Sequence, residues 1–430
     1  MQTSMKAALI AGSTAMALML SGCGLGSGQV ADADLNGQIE GTITFQTMQL
    51  SPTFDDYING LIKRFEAEHP NTTVKWTDIP SDQTARKVSA DAAAGSLPDV
   101  MDLDSATLAP LGRDGRVVDM ADAAGGLKED YVASAWNSFD YGDVSVAALP
   151  WYVNSPVLLA NSALVTKAGS PATPTTYSEL LDVSAKIAKE SGKAGFQPES
   201  VRFPDYLLSV GVPLVNEDST KARVNTAEAH KFVQKLADLY ASGGIPADSV
   251  TAAPRAEIDT FSQGATVYLE TGASRLKILK ENAPAVYDAI AVEEPMGAAD
   301  GKTWVVAHGL AVPKSSKNAA TALAFAKFVT NAQNQLALAQ QSAVFPSAVK
   351  ALNDPFFTAK PTDAPTEARK MVAKILFDGR TTPKPPAVDA EYATTLWASL
   401  QSAITGEVPV ADALAAAETR LTEMLQKRSK

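Results

Sequence analysis

Two aspartates, Asp102 and Asp104, stand two residues apart in the stretch DLDS, with Ser105 directly behind them. Paired carboxylates are the machinery of glycoside hydrolysis, which needs one acid held protonated and the two groups set across a bond. A strand has period two, so these side chains would point the same way, not across a substrate. Accepting hydrogen bonds from hydroxyl groups is the chemistry that suits them better. Capping the helix suggested by SATLAPL is the alternative role for Asp104 or Ser105. Other reactive residue types are sparse. There are three histidines, His69, His230 and His308, no two close in sequence, and one cysteine, Cys23. No histidine pair has zinc spacing, and no P-loop, G-x-G-x-x-G or G-x-S-x-G occurs. No nucleophile–base pair is visible. No cofactor and no metal are expected.

Cys23 lies in AMALMLSGCGLGSGQ, residues 15–29. Lys6 and the apolar run from Ala7 to Leu20 precede it. That run is shorter than the ~20 apolar residues a membrane span takes. It fits a cleaved secretory signal. L-S-G-C at residues 20–23 resembles the lipobox of bacterial lipoproteins, in which the cysteine sulfur takes a diacylglycerol and the cysteine becomes the new N-terminus. An ordinary signal with an incidental thiol is the alternative. Residues 1–22 then read as a lipoprotein signal peptide. Residues 23–40, rich in Gly, Ser and Asp, read as a flexible tether. Lipidation anchors a protein to a membrane without spanning it.

The formal net charge of −11 argues against a nucleic-acid partner. No other run is apolar and long enough to cross a membrane, and there is no repeat of solenoid period. The chain beyond the signal is too long for one ordinary core, which implies two lobes.

The elements that must position any site can be read from periodicity. TITFQT (42–47) alternates, with Ile43 and Phe45 on one face, and reads as a strand. Ile58, Leu61, Ile62 and Phe65 recur at helical spacing before the stop at Pro70. TTVKW is strand-like, TARKVSADAAAG is a helix ending at Gly95, and PDVMDLD is a short strand. This β-α-β-α-β order implies a parallel sheet with crossover helices. ALPWYVNSPVLLAN is extended and bracketed by Pro150 and Pro156. TPTTYSELLDVSAKIAKESGK is a helix entered through Pro174 and capping hydroxyls. TAEAHKFVQKLADLYASGG is a helix ending in glycines. GATVYLETG and DAIAVEEPMG are extended, giving a second α/β lobe. After WVVAHGLAVP comes a helix opened by Asn318, with Ala322, Phe325, Ala326 and Val329 as its buried stripe. The last hundred residues read as helical, with proline-rich interruptions such as TTPKPP. The final helix carries Leu414, Ala417, Leu421, Met424 and Leu425.

In this order the pieces resemble the extracellular solute-binding proteins of ABC importers, in the branch that includes maltose-binding protein. ITFQT…LIKRFEAEHPNTTVKW is similar to the family's first strand, helix and second strand. AAGSLPDVMDLDSATLAPLGRDGRVVDM is similar to its G-x-x-P-D-V segment and the helix after it. ALPWYVNSPVLLANSALVTKAG resembles the first hinge crossing, FSQGATVYLETG the F-x-x-G strand, HGLAVPKSSKNAATALAFAKFV the return through the second hinge, and GEVPVADALAAAETRL the closing helix. The resemblance implies a two-lobed periplasmic-binding-protein-like α/β fold. Each lobe is expected to hold a mixed, mostly parallel sheet flanked by helices, and hinge strands join the two. The lobes would be 41–150 plus 305–350, and 151–304 plus 351–430. The implied function is a non-enzymatic one. The chain would capture a sugar or oligosaccharide between the lobes and deliver it to permease subunits. It would work as a monomer, held to the outer face of the cell membrane through Cys23. A non-sugar polar metabolite such as a glycerophosphodiester is the alternative ligand, kept open by Arg202 and Arg275. A secreted lipoprotein glycoside hydrolase is the alternative from another class.

A sugar presents hydroxyls and flat C–H faces, so its site wants polar side chains and aromatic faces at loop ends along the cleft. After the first strand the candidates are Gln46, Met48 and Gln49. Asp102, Asp104 and Ser105 are candidate hydroxyl partners. Beside the first crossing stand Trp151 and Asn154. Asn154 matches the position of an acidic ligand residue in the maltose receptor, and Trp151 has hinge packing as its alternative. SVRFPDYL offers Arg202, Phe203 and Tyr206, where the family often places an aromatic wall. In YLETGASRL, Gly272 is followed by Ala273, Ser274 and Arg275, where the family often has tryptophan. Trp304 lies on the second crossing with His308, which reads as a hydrogen-bonded spacer. Tyr392 lies on a helix that in the family can approach the cleft. Trp397, Trp76 and Phe65 read as core.

Overall fold

The computed structural model describes residues 33–428 apart from 143, 170, 251–255 and 299. Cys23, the signal segment and the tether up to residue 32 lie outside the described residues. The rest of the expected tether is corrected: Ala33 and Leu35 already pack against the larger core. Glu40 is tied down as well, its N–H donating to Thr321 Oγ1 at 2.9 Å while that hydroxyl donates to the Glu40 carbonyl at 2.8 Å. Partial burial of Ala33 and Leu35, together with the Glu40–Thr321 hydrogen bonds, offsets part of the entropy lost in ordering this stretch.

Among the described residues, twelve strands form three sheets. In chain order they are β1 (Gly41–Met48), β2 (Thr72–Ile79), β3 (Val100–Asp104), β4 (Leu149–Asn154), β5 (Pro156–Asn161), β6 (Leu214–Val215), β7 (Ala222–Arg223), β8 (Tyr268–Gly272), β9 (Ile290–Glu293), β10 (Thr303–Ala311), β11 (Phe345–Pro346) and β12 (Thr381–Pro383). The large sheet runs β11-β4-β10-β3-β1-β2, and β12 pairs with the start of β10. β1, β2 and β3 are mutually parallel, whereas β10 runs antiparallel to β3 and β4. The second sheet is β8-β5-β9 and the third is the short β6-β7 hairpin. Both pairings of β5 are antiparallel, so the expected mostly parallel second sheet is corrected on that detail. Its neighbours return to β5 from distant parts of the chain, and no single crossover helix joins consecutive strands.

The helices obey their apolar spacing. Tyr57, Ile58, Leu61, Ile62 and Phe65 are the buried face of Asp55–Glu68. Helix Ser81–Ala94 stops at Gly95, whose φ of +65° is a left-handed turn that suits glycine. Thr176 caps Tyr177–Ser191 by accepting from the Glu179 N–H. Asn318 precedes Ala319–Val329 as expected, but its side chain does not cap it. The Asn318 amide donates instead to the Thr42 carbonyl at 2.8 Å, pinning the helix to β1.

Two cores result. Phe45, Phe65 and Phe325 meet edge-on beneath the large sheet, with ring centroids 5.0–5.1 Å apart. A fully buried phenylalanine contributes about 1.5–3 kcal/mol relative to an exposed one. Phe203, Tyr206, Phe232, Tyr392, Trp397 and the last helix, Val410–Arg428, build the second core. Phe65 and Trp397 lie in these cores as expected, and Trp76 is partly buried against the first. The chain passes between the two lobes where β4 hands over to β5, with Ser155 alone separating the strands.

Candidate functional site

A cavity of about 190 Å³ opens where the two lobes meet. Asn154, Ser155 and Pro156, at the handover from β4 to β5, form one part of its lining. Thr303, Trp304 and Val306 come from the start of β10. Gly272 and Ser274 lie at the end of β8, Ala343 precedes β11, and Lys384 comes directly after β12. Tyr177, Arg202 and Asp205 come from the smaller core's helices.

The charged groups are built in pairs. Arg202 ends a short 3-10 turn, Ser200–Arg202, and Asp205 lies one turn on in helix Phe203–Ser209. Arg202 Nη2 is 2.7 Å from Glu270 Oε2 on β8. The Tyr177 hydroxyl donates to the same carboxylate, whose other oxygen accepts the Met296 N–H at 2.8 Å. Burial works against the Arg202 charge, but Glu270, with Tyr177, Asp205 and Tyr206 behind it, holds the guanidinium pKa above its ordinary value. Burial, then Glu270, raises the Tyr177 phenol. The second pair is Lys384 with Asp205, Nζ to Oδ1 2.7 Å. β12 aligns Pro383 with Val305 of β10, which brings Lys384 to the cavity. Behind the wall, burial and the neighbouring Glu257 push the Glu199 carboxyl up to about 8.

Some polar groups have no partner within the protein. Ser155 Oγ and Arg202 Nε are buried without a hydrogen bond. Asn154 is exposed at the cavity. Buried polar groups are normally satisfied, so Ser155 Oγ and Arg202 Nε stand out in this wall. Among the described residues, no cluster of three or more His, Cys, Asp or Glu could hold a metal ion.

A second cavity of about 200 Å³ adjoins the first, with Val306 and Lys384 lining both. Asp104, Ser105 and Ala106 form its large-sheet side. Val201, Pro204, Pro385, Pro386 and Val388 face it from the other lobe.

Of the residues expected from sequence, Asn154, Arg202, Gly272 and Trp304 line the first cavity, and Asp104 and Ser105 line the second. The others are elsewhere. Asp102 is fully buried, with Oδ1 3.3 Å from His308 Nδ1 and Oδ2 3.5 Å from the Tyr152 hydroxyl and 3.4 Å from the Met48 N–H. It is an internal acceptor, not a group open to the cleft. Asp104 takes the capping alternative, accepting from the Ala106 and Thr107 N–H groups at 2.9 and 2.8 Å. Gln46 is buried. Met48 lies at the end of β1, and Gln49, at φ +56°, accepts from Ser81 Oγ at 2.6 Å. Neither lines the cavities. Trp151 is buried between Phe45 and Tyr152, its packing alternative. Phe203 and Tyr206 are buried in the smaller core instead of forming an aromatic wall. Tyr392 is buried too, its hydroxyl donating to the Leu214 carbonyl at 2.8 Å. Arg275 opens helix Arg275–Asn282, exposed and outside the cavity lining. For Trp151, Phe203, Tyr206 and Tyr392 the reason is that large rings gain more by filling a core than by waiting at a surface.

His308 is held as the expected spacer. Its ring stacks on Tyr152 with centroids 4.4 Å apart, and Nδ1 is 2.9 Å from the Tyr152 hydroxyl. Tyr177, Asp205, Lys384, Ser155 and Ser274 are lining residues that sequence reasoning passed over. Arg202 and Asp205 stand at i, i+3, a spacing that would have signalled a shared helical face.

Comparison with known proteins agrees with this architecture. The family model for bacterial extracellular solute-binding proteins matches residues 60–366. A protein of Brucella abortus (strain 2308), provisionally called a binding protein, is 25% identical over 327 residues, which cover 73% of this chain and 74% of that one. A solved structure from Synechococcus sp. MITs9220, provisionally described as an oligosaccharide periplasmic-binding protein, is 26% identical. It superposes with a TM-score of 0.80 over 90% of this chain and 100% of that one. The sugar-binding protein MalE from the phytopathogen Xanthomonas citri is 19% identical. It shares the fold at a TM-score of 0.75 over 90% of this chain and 98% of that one. A family match across more than half the chain, on a two-lobed α/β fold with a polar cleft at the handover between lobes, makes this chain a member of the bacterial extracellular solute-binding proteins.

Proposed function

We propose that the chain is the substrate receptor of an ABC importer, capturing a neutral sugar or oligosaccharide between its lobes and passing it to the permease. The observation that carries this is the cavity itself. Its free groups, Asn154, Ser155 Oγ and Arg202 Nε, suit hydroxyls, while both of its cations are already neutralised by Glu270 and Asp205. A phosphodiester would have to compete with those carboxylates, so the pairing favours an uncharged polyol. Closure is a hinge motion at Ser155 and the entry to β10. The lobe division expected from sequence is kept as part of the proposal, with its first crossing moved to Ser155. The strand handover there supports it. The receptor does no chemistry and acts as a monomer.

A thermal-shift screen over mono-, di- and trisaccharides tests this. Ligand that binds only the native state raises the unfolding midpoint by mass action. At least one sugar is expected to raise it in a concentration-dependent way. A complete panel without a shift would refute the carbohydrate reading.

The receptor is held at the membrane by lipid on Cys23, as the L-S-G-C run indicates. Cys23→Ala is expected to leave a folded, solute-binding protein that moves from the membrane to the soluble fraction. Retention at the parental level in the membrane pellet would sink the anchor.

A further inference from the structure

We propose that the cleft takes a glycoside carrying an apolar substituent, with the sugar in the first cavity and an alkyl or aryl aglycone in the second. This rests on the carbohydrate reading above and narrows it.

The two cavities share Val306 and Lys384, so one molecule can occupy both. Each alone is smaller than the ~300–1,000 Å³ of an ordinary small-molecule site. Their surfaces differ in kind. The first is lined by the exposed Asn154, with the unpartnered Ser155 Oγ and Arg202 Nε buried in its wall. In the second, the charged groups are all engaged inside the protein. Asp104 Oδ1 caps its helix and Oδ2 accepts from the Thr107 hydroxyl at 2.9 Å. Asp389 caps helix Ala390–Ile404 and pairs with Arg428 at 3.0 Å. Lys384 is held by Asp205. Valine and proline side chains supply the larger, apolar part of the second cavity's free surface. Val201 is 52% exposed and Val306 37% exposed, and both are among the five large hydrophobics exposed among the described residues. Pro204, Pro385, Pro386 and Val388 continue that surface. An exposed apolar patch inside a cleft marks a binding surface. A second sugar ring would set most of its hydroxyls against valines and prolines, with the Ser105 hydroxyl and the already engaged Asp104, Asp389 and Lys384 as the polar groups at hand. A hydrocarbon group meets that surface without stranding polar atoms.

The test is calorimetric titration of the full chain with glucose, galactose, mannose and xylose. Their methyl, n-butyl and phenyl β-glycosides come next, with maltose and cellobiose as two-ring probes. For a sugar that binds, the butyl and phenyl glycosides are expected to bind at least tenfold tighter than the methyl glycoside. The basis is about fourfold for each buried methylene. Val201→Ser is expected to remove much of that gain and leave the methyl glycoside's affinity unchanged. Butyl and phenyl glycosides that bind no tighter than methyl overturn the inference and leave the carbohydrate reading standing. A gain for maltose or cellobiose alone also overturns it, because the occupant is then a second sugar. If no sugar or glycoside binds, the carbohydrate reading falls and takes this inference with it.

Discussion

Glu270→Ala is expected to lower stability by about 3–5 kcal/mol and to abolish solute capture, because it leaves the Arg202 guanidinium charged and unpaired in the cleft wall. Arg202 and Glu270 are 18% and 7% exposed in their side chains, so solvent screens the stranded charge poorly. The Tyr177 hydroxyl and the Met296 N–H lose an acceptor in the same step. Glu270→Gln keeps an acceptor and is expected to lose less. The double variant Arg202→Met, Glu270→Leu removes charge and partner together, and its loss should be smaller than that of Glu270→Ala. Urea unfolding of the three variants measures this. A Glu270→Ala protein within about 1 kcal/mol of the parent would mean that the pair does not hold the wall together.

Asp102→Ala is the second large effect. It takes the acceptor from His308, the Tyr152 hydroxyl and the Met48 N–H, all inside the large sheet beneath the hinge strand β10. The Tyr152 hydroxyl and His308 Nδ1 keep each other as partners at 2.9 Å, so the loss falls mainly on the Met48 N–H and on the charged form of the histidine, at about 1–3 kcal/mol for each group left unpaired. The pH dependence identifies the cause. Burial alone would lower the His308 pKa, yet the hydrogen bond and charge of Asp102, aided by Asp104, leave it raised above the ordinary histidine value. A raised folded-state pKa means that protonated His308 contributes stability fully below about pH 6.5, the unfolded value. That contribution is lost as the pH climbs through the higher folded value. The parent should therefore lose stability across that window, and Asp102→Asn should not, because burial then governs the histidine. Denaturation midpoints between about pH 5 and 9 decide it. Parallel pH profiles for parent and Asp102→Asn would break the link between the two residues.

Much of the fold was legible because burial writes a period into sequence. Ile43 and Phe45 on β1, and Ile58, Leu61, Ile62 and Phe65 on the first helix, lie where alternation and helical spacing require. The direction of the β5 pairings left no such mark, since side-chain period is the same in parallel and antiparallel strands. The site was less legible for a related reason. Trp151, Phe203, Tyr206 and Tyr392 have the residue types of a sugar platform and of a core alike, and only packing separates the two. Asp102 and Asp104 were expected on one face, but the first lies inside the sheet and the second turns to cap a helix. Lys384 was hidden in TTPKPP, which has no periodicity. Its role comes from the pairing of β12 with the far-removed β10.

The neutral pairs in the cleft wall also set the kinetics of capture. Each cation closes its field lines on a carboxylate 2.7 Å away, so the cleft projects little potential into solvent. The net charge of −11 exerts no long-range pull on the uncharged solute proposed above either. Encounter is then governed by diffusion and by how often the lobes stand open. Its rate constant should be the same in dilute and in saline medium, which suits a scavenger whose surroundings set the ionic strength.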